Sequence, residues 1–181
     1  IFGANHTVQG NIIGVDSAGK KVGVCGQGIK VSGSGTQILD NEITRSRIGF
    51  EDIIPTAILA SDTSPLFGQI TVRGNYVEDG PGGIYEMGPG LPKFLQEFEP
   101  AKITNINGKN VSGTAGNGSP CPGCIIDFYS DDLDSIGEAF TYLGQETADS
   151  NGDFSFAMTQ TLPSGAGIRT SSTAPSAGVI G

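Results

Sequence analysis

The sequence has no tryptophan, one histidine, two methionines and three cysteines in 181 residues, and only 16% of it is charged. Each scarcity removes a class of explanation. With His6 as the sole histidine, no Ser-His-Asp or Cys-His arrangement is available for nucleophilic catalysis. Three cysteines are too few for a disulfide scaffold, although they allow one local bridge in an oxidising compartment. Ten Lys and Arg against nineteen Asp and Glu leave a net charge of -9, which repels phosphate backbones and anionic lipid. Nucleic acid is therefore not an expected partner. No run of about 18 apolar residues occurs, so direct membrane insertion is not expected either.

What is abundant is glycine, with 29 residues. A chain rich in turn formers and poor in helix formers points to an all-β fold. Three segments superpose on an asparagine: His6–Ile13, Thr36–Ile43 and Ile70–Val77. Three residues before Asn11, Asn41 and Asn75 stands an aliphatic (Val8, Ile38, Val72), and two after stands another (Ile13, Ile43, Val77). The position just before each Asn is Gly or Asp. The anchors lie 30 and 34 positions apart, and a second series around Ile29, Ile58 and Ile84 advances by 29 and 26.

Nothing repeats at 3, 4 and 7, so these steps do not describe an α-solenoid. Short strands with alternate aliphatics, broken by Gly and Asn, predict a parallel β-helix of about three coils. In it Asn11, Asn41 and Asn75 would sit at left-handed bends and hydrogen-bond from coil to coil. A plain β-sandwich with coincidental Asn turns is the simpler alternative; the joint register of three features argues against it. Three coils are about the minimum for a stable stack, and neither end shows a cap, which predicts further coils or another chain beyond Ile1.

Proline and glycine in Gly88-Pro89-Gly90-Leu91-Pro92 mark a change of style. The expected division is a β-helix over 1–92, a linker over 93–100 and a sandwich over 101–181. Six strands are predicted in the last part: 101–106, 110–114, 125–129, 139–143, 153–158 and 167–172. An immunoglobulin-like sandwich has about seven, so the last strand is expected to be missing.

The stretch from His6 to Gly19 resembles the coils of large bacterial right-handed β-helix surface proteins. In that family the helix often passes into a small sandwich, whose signature is similar to Ser112-Gly113-Thr114-Ala115, Cys121-Pro122-Gly123-Cys124, Asp127-Phe128-Tyr129-Ser130-Asp131, Tyr142-Leu143-Gly144 and Ala148–Phe156. The resemblance spans most of the chain and is more specific in its second half. It implies a secreted or cell-surface adhesin, or an S-layer-like envelope component.

Cys121 and Cys124 have the spacing of a redox motif, but a strand rather than a helix is predicted after them, which favours a structural turn disulfide. Cys25 is either free or pairs between chains. Asp131, Asp132, Asp134 and Glu138 form the densest acidic group. Such a loop can wrap a calcium ion, and a solvated acidic loop is the simpler reading; both stay open. Asp149–Asp153 imitates the start of an EF-hand but reads as a hairpin turn.

Polysaccharide lyases and hydrolases also use the β-helix, and their chemistry needs paired carboxylates, or a carboxylate-bound cation with a basic residue. Glu51, Asp52, Asp62, Arg73, Glu78, Asp79 and Glu86 are the candidates, and none recurs so as to put two carboxylates on one outward face of adjacent coils. No catalytic residue is therefore assigned, and no cofactor beyond calcium. The expected role is a non-enzymatic extracellular structural or adhesive component, with other chains of a surface assembly or cell-surface carbohydrate as partners. The alternative is a carbohydrate-active or carbohydrate-binding β-helix protein.

Overall fold

The computed structural model describes residues 1, 3–31, 35–44, 46–47, 58–60, 71–78, 101–115, 121–131 and 139–173. Among these residues the protein is all-β, with no helix. The boundary expected at 92 and the linker expected over 93–100, together with Ile84 of the second series, lie outside the described residues.

In the first half the chain makes three passes. The first carries β1 (Thr7–Gln9), β2 (Ile12–Ile13), β3 (Val24–Cys25) and β4 (Ile29–Val31); the second carries β5 (Gln37–Leu39), β6 (Glu42–Thr44), β7 (Ser46–Arg47) and β8 (Ile58–Ala60). The third carries β9 (Thr71–Arg73) and β10 (Tyr76–Glu78). Every pairing between passes is parallel and in register: Val8 lies beside Ile38 and Ile38 beside Val72, Ile13 beside Ile43 and Ile43 beside Val77, and Ile29 beside Ile58. Those aliphatics point inward. Ile38, Ile43, Ile58, Val72 and Val77 are fully buried in one cluster, with Val8 and Ile13 only partly covered.

Between the first two strands of each pass the backbone turns through a left-handed residue: Gly10 (φ 67), Asp40 (φ 53) and Gly74 (φ 64). The bend thus falls one residue before the position expected from the sequence, and the ladder Asn are not themselves left-handed. The reason is geometric, because each Asn must aim its amide along the stack. Asn11 Nδ2 donates to Asn41 Oδ1 at 2.9 Å, and Asn41 Nδ2 to Asn75 Oδ1 at 2.9 Å. Backbone amides double each rung: Asn11 N–H reaches Asn41 Oδ1 at 3.0 Å and Asn41 N–H reaches Asn75 Oδ1 at 3.0 Å. Lys21, on the turn after β2, also bonds Glu78 on β10, linking the first pass directly to the third.

The second half contains β11 (Lys102–Asn107), β12 (Asn110–Thr114), β13 (Ile125–Ser130), β14 (Thr141–Thr147), β15 (Asp153–Ala157) and β16 (Ile168–Thr173). They form two antiparallel sheets, in the orders β11-β12-β15 and β14-β13-β16. Strict alternation on β15 turns Phe154 and Phe156 inward. There they meet Phe128 of the other sheet, at ring-centroid distances of 5.4 and 4.2 Å. Val111, Ile126, Cys124 and Ala115 complete this second core. Offset or edge-on aromatic contacts of this kind add about 0.5–1.5 kcal/mol to what area burial supplies.

Two sequence expectations shift here. The strand expected over 139–143 runs instead over Thr141–Thr147, because Gly144 is not a terminator. It sits mid-strand at φ 136, where a side chain would meet the Phe156 ring at 3.1 Å. The turn at Asp149 is not a hairpin, since the strands around it, β14 and β15, belong to different sheets. Asp149 Oδ1 accepts from the amides of Asn151 and Asp153 at 2.7 and 3.0 Å and so carries the chain across.

The ladder makes a stability prediction. Asn41 is 1% exposed and bonds both neighbouring passes, including Nδ2 to Val8 O at 3.0 Å, so Asn41→Ala strands several buried partners. It should cost about 3 kcal/mol, against about 1 kcal/mol or less for the exposed Asn11→Ala. Urea unfolding measures both, and equal losses would contradict the ladder's role.

Candidate functional site

The site with the densest polar chemistry among the described residues lies where the two halves meet. β13 alternates between two environments: Ile126 and Phe128 face the other sheet, while Asp127 and Tyr129 face the three passes. Tyr129 and Ala139 join the aliphatic cluster of the passes, and Ala139 O accepts from Val77 N–H at 2.8 Å. The third pass is thus covered by the second half of the chain, although no cap was apparent in the sequence.

Beside Tyr129, the Asp127 side chain is fully buried and meets Arg73 of β9, Nε to Oδ2 at 3.1 Å and Nη2 to Oδ1 at 3.4 Å. Tyr142 donates its hydroxyl to Asp127 Oδ1 at 3.0 Å, and Arg73 Nη2 also bonds Gln145 Oε1. Burial pushes the Asp127 carboxyl above its usual range; the Arg73 charge and the bonds from Arg73 and Tyr142 oppose that rise without cancelling it. Nearby Asp40 adds to it. Asp40 itself is held by Gln9 Nε2 of the first pass at 3.1 Å, while the second and third passes act on the Asp127 carboxylate through Asp40 and Arg73. Burial, then the Asp127 charge, raises both the Tyr129 and the Tyr142 phenols. The Tyr129 hydroxyl lies beside Ser171 and the Gly74 backbone, with no hydrogen bond of ordinary geometry.

Chemically this arrangement is a buried ion pair with a phenol bridge, suited to fixing orientation. It exposes little: the Arg73 side chain is 22% accessible and that of Asp127 0%. Arg73, weighed from the sequence as a basic catalytic candidate, is held in this seam. Glu78, another candidate, bonds Lys21 and accepts from the Tyr76 hydroxyl at 3.2 Å. Glu51, Asp52, Asp62, Asp79 and Glu86 lie outside the described residues.

Neither protein-family models nor curated proteins match this chain.

Of the other residues singled out, Cys121 and Cys124 form a disulfide, both within the second core, and Cys25 is an exposed free thiol. Asp131, of the acidic group, accepts two bonds from Arg169, at 2.8 and 2.6 Å. Asp132, Asp134 and Glu138 lie outside the described residues, so the calcium expectation rests on positions of which only one is placed. No cluster of three metal-ligating side chains occurs among the described residues. Sequence reasoning missed the seam. Its only signal was a charged residue at Asp127 in the middle of an otherwise apolar strand, Ile125–Tyr129, and the partner Arg73 lies 54 positions away.

Two variants probe the seam. Arg73→Met leaves a buried carboxylate unpaired and should cost about 3 kcal/mol at neutral pH. The Asp127 pKa, already above its ordinary 3.8 in the folded state, rises further without Arg73. The folded protein then holds the proton more tightly than the unfolded one, so the variant regains stability as pH falls through the raised pKa toward 3.8. Urea titrations across that range should show the deficit narrowing with acid; a constant deficit would contradict it. Tyr129→Phe removes a hydroxyl without an ordinary hydrogen bond and should shift stability by less than about 1 kcal/mol, whereas Tyr129→Ala should cost about 3–5 kcal/mol by thermal unfolding.

Proposed function

We propose that this protein is a non-enzymatic extracellular structural or adhesive component, built as a right-handed parallel β-helix of three coils closed at one end by an immunoglobulin-like sandwich. The observation that carries the reading is the in-register parallel pairing of the three passes around the ladder of Asn11, Asn41 and Asn75. Stacked parallel strands around a single aliphatic column make a rod, and right-handedness follows the general rule for parallel crossover connections. The two facing antiparallel sheets with an aromatic core support a sandwich.

The surface role is supported by three things: a disulfide, which persists in oxidising surroundings, the acidic and sparsely charged composition, and the resemblance of the chain to bacterial surface proteins. Arg73 and Glu78, the two described catalytic candidates, are engaged in holding passes and sheets together. Such a molecule works by shape and edge contacts, with other chains of a surface assembly or cell-surface carbohydrate as partners. Nothing in the described geometry favours the carbohydrate-active alternative, for which Arg73 would have to face an open groove.

Immunogold labelling of intact producing cells tests the placement: label should decorate the outer surface and be removed by external protease. Label that appears only after permeabilisation would sink the extracellular reading. Release of reducing ends from a panel of polysaccharides would sink the non-enzymatic one.

A further inference from the structure

We infer that the junction between the third pass and the second half holds a buried water molecule, bound by the Gly74 N–H and by the hydroxyls of Tyr129 and Ser171. The upper passes show why an acceptor is needed at this point. Gly10 N–H donates to Leu39 O and Asp40 N–H to Arg73 O, each at 3.1 Å. Gly74 holds the same position in the third pass and is left-handed like the other two, so its N–H points down the stack, away from the second pass. Among the described residues no carbonyl accepts from it.

What stands below Gly74 is the face that β13 and β16 turn towards the passes. Ser171 lies opposite Asp127 in the register of those strands, so it shares that face with Asp127 and Tyr129. The Tyr129 hydroxyl approaches both Ser171 and the Gly74 backbone, yet among the described residues neither hydroxyl has a hydrogen-bond partner of ordinary geometry. Both are deep inside: Tyr129 is 1% exposed and Ser171 6%. Buried polar groups in folded proteins are paired, by ordered water where no protein group reaches them. Here two hydroxyls and one amide converge.

The chemistry of these groups selects the occupant. The Gly74 N–H can only donate, which opposes a cation, and the Asp127 charge that acts on Tyr129 opposes an anion. Burial keeps the proton on the Tyr129 phenol, so each hydroxyl can both donate and accept. Water meets all three groups. It accepts from Gly74 N–H, as a carbonyl does for Gly10 and Asp40, and its remaining bonds go to the two hydroxyls. About three partners is usual for a buried water. The molecule ties the third pass to β13 and β16 at once, in the same seam as the Arg73–Asp127 pair.

The inference rests on the packing of β13 and β16 against the third pass, and not on the extracellular role. Its test is a high-resolution crystal structure of the full chain. One peak of water density is expected within about 2.7–3.2 Å of Gly74 N, Tyr129 Oη and Ser171 Oγ. Ser171→Val removes one partner and puts a methyl group in the water's space, so crystals of that variant should lose the peak. Relaxation dispersion of the water oxygen nucleus, in isotope-enriched water, gives the solution reading. There Ser171→Val should lose the contribution of one long-lived water, whereas the exposed Ser150→Ala should lose none. If Ser171→Val does not fold, the parent crystal decides alone. A direct bond from Tyr129 Oη to Ser171 Oγ or Gly74 N with no peak between them, a protein oxygen on Gly74 N, or a dispersion amplitude unchanged by Ser171→Val would each overturn the inference. Labelling confined to the cell interior, with the water peak present, would refute the surface role and leave the water site standing.

Discussion

Ile125–Ser130 is covered on both faces, and much of the molecule's arrangement follows from that. A strand in this position must serve two cores with alternate residues. Ile126 and Phe128 belong to one, and Tyr129 to the other. Each large apolar side chain so buried contributes about 1.5–3 kcal/mol. The fourth residue, Asp127, opposes this, since removing a carboxylate from water costs several kcal/mol, and the Arg73 and Tyr142 bonds offset rather than exceed that cost. What the pair sets is alignment. Arg73 reaches Asp127 only when the third pass lies across β13 with Tyr129 over its aliphatic column.

The ladder acts on the other half in a complementary way. Buried asparagines are tolerable only when every amide group is used, and at Asn41 and Asn75 they are held by both side-chain and backbone partners. Each pass depends on its neighbour to satisfy its amides, so the passes stabilise one another cooperatively. The left-handed residue before each Asn allows this. Gly74 illustrates the constraint, because a side chain there would stand 2.3 Å from Asp40 Oδ1.

Those elements were legible in the sequence to different degrees. The alignment of Asn11, Asn41 and Asn75 with flanking aliphatics is a local pattern repeated at near-constant spacing, so both the strands and the pairing register could be read directly. The six later strands were legible from alternation and turn residues. The left-handed position, the true extent of β14 and the crossing turn at Asp149 were not, since each depends on a contact across the fold: the amide above, the Phe156 ring, or the choice of sheet. The seam was the least legible, because an Arg and an Asp far apart in the chain carry no sequence mark of their pairing. Asp132, Asp134 and Glu138 lie beyond what the structure describes.

Lys21 and Glu78 join the first pass to the third by a direct ion pair. The three ladder asparagines connect the same two passes through a chain of bonds in series. A force pulling the passes apart would load those rungs together, while the Lys21–Glu78 contact carries part of the tension alongside them. Being charged and partly exposed to solvent, that contact weakens with added salt, whereas the rungs, which join uncharged amides, do not. The stiffness of the stack along its axis is therefore sensitive to ionic strength even though its register is not.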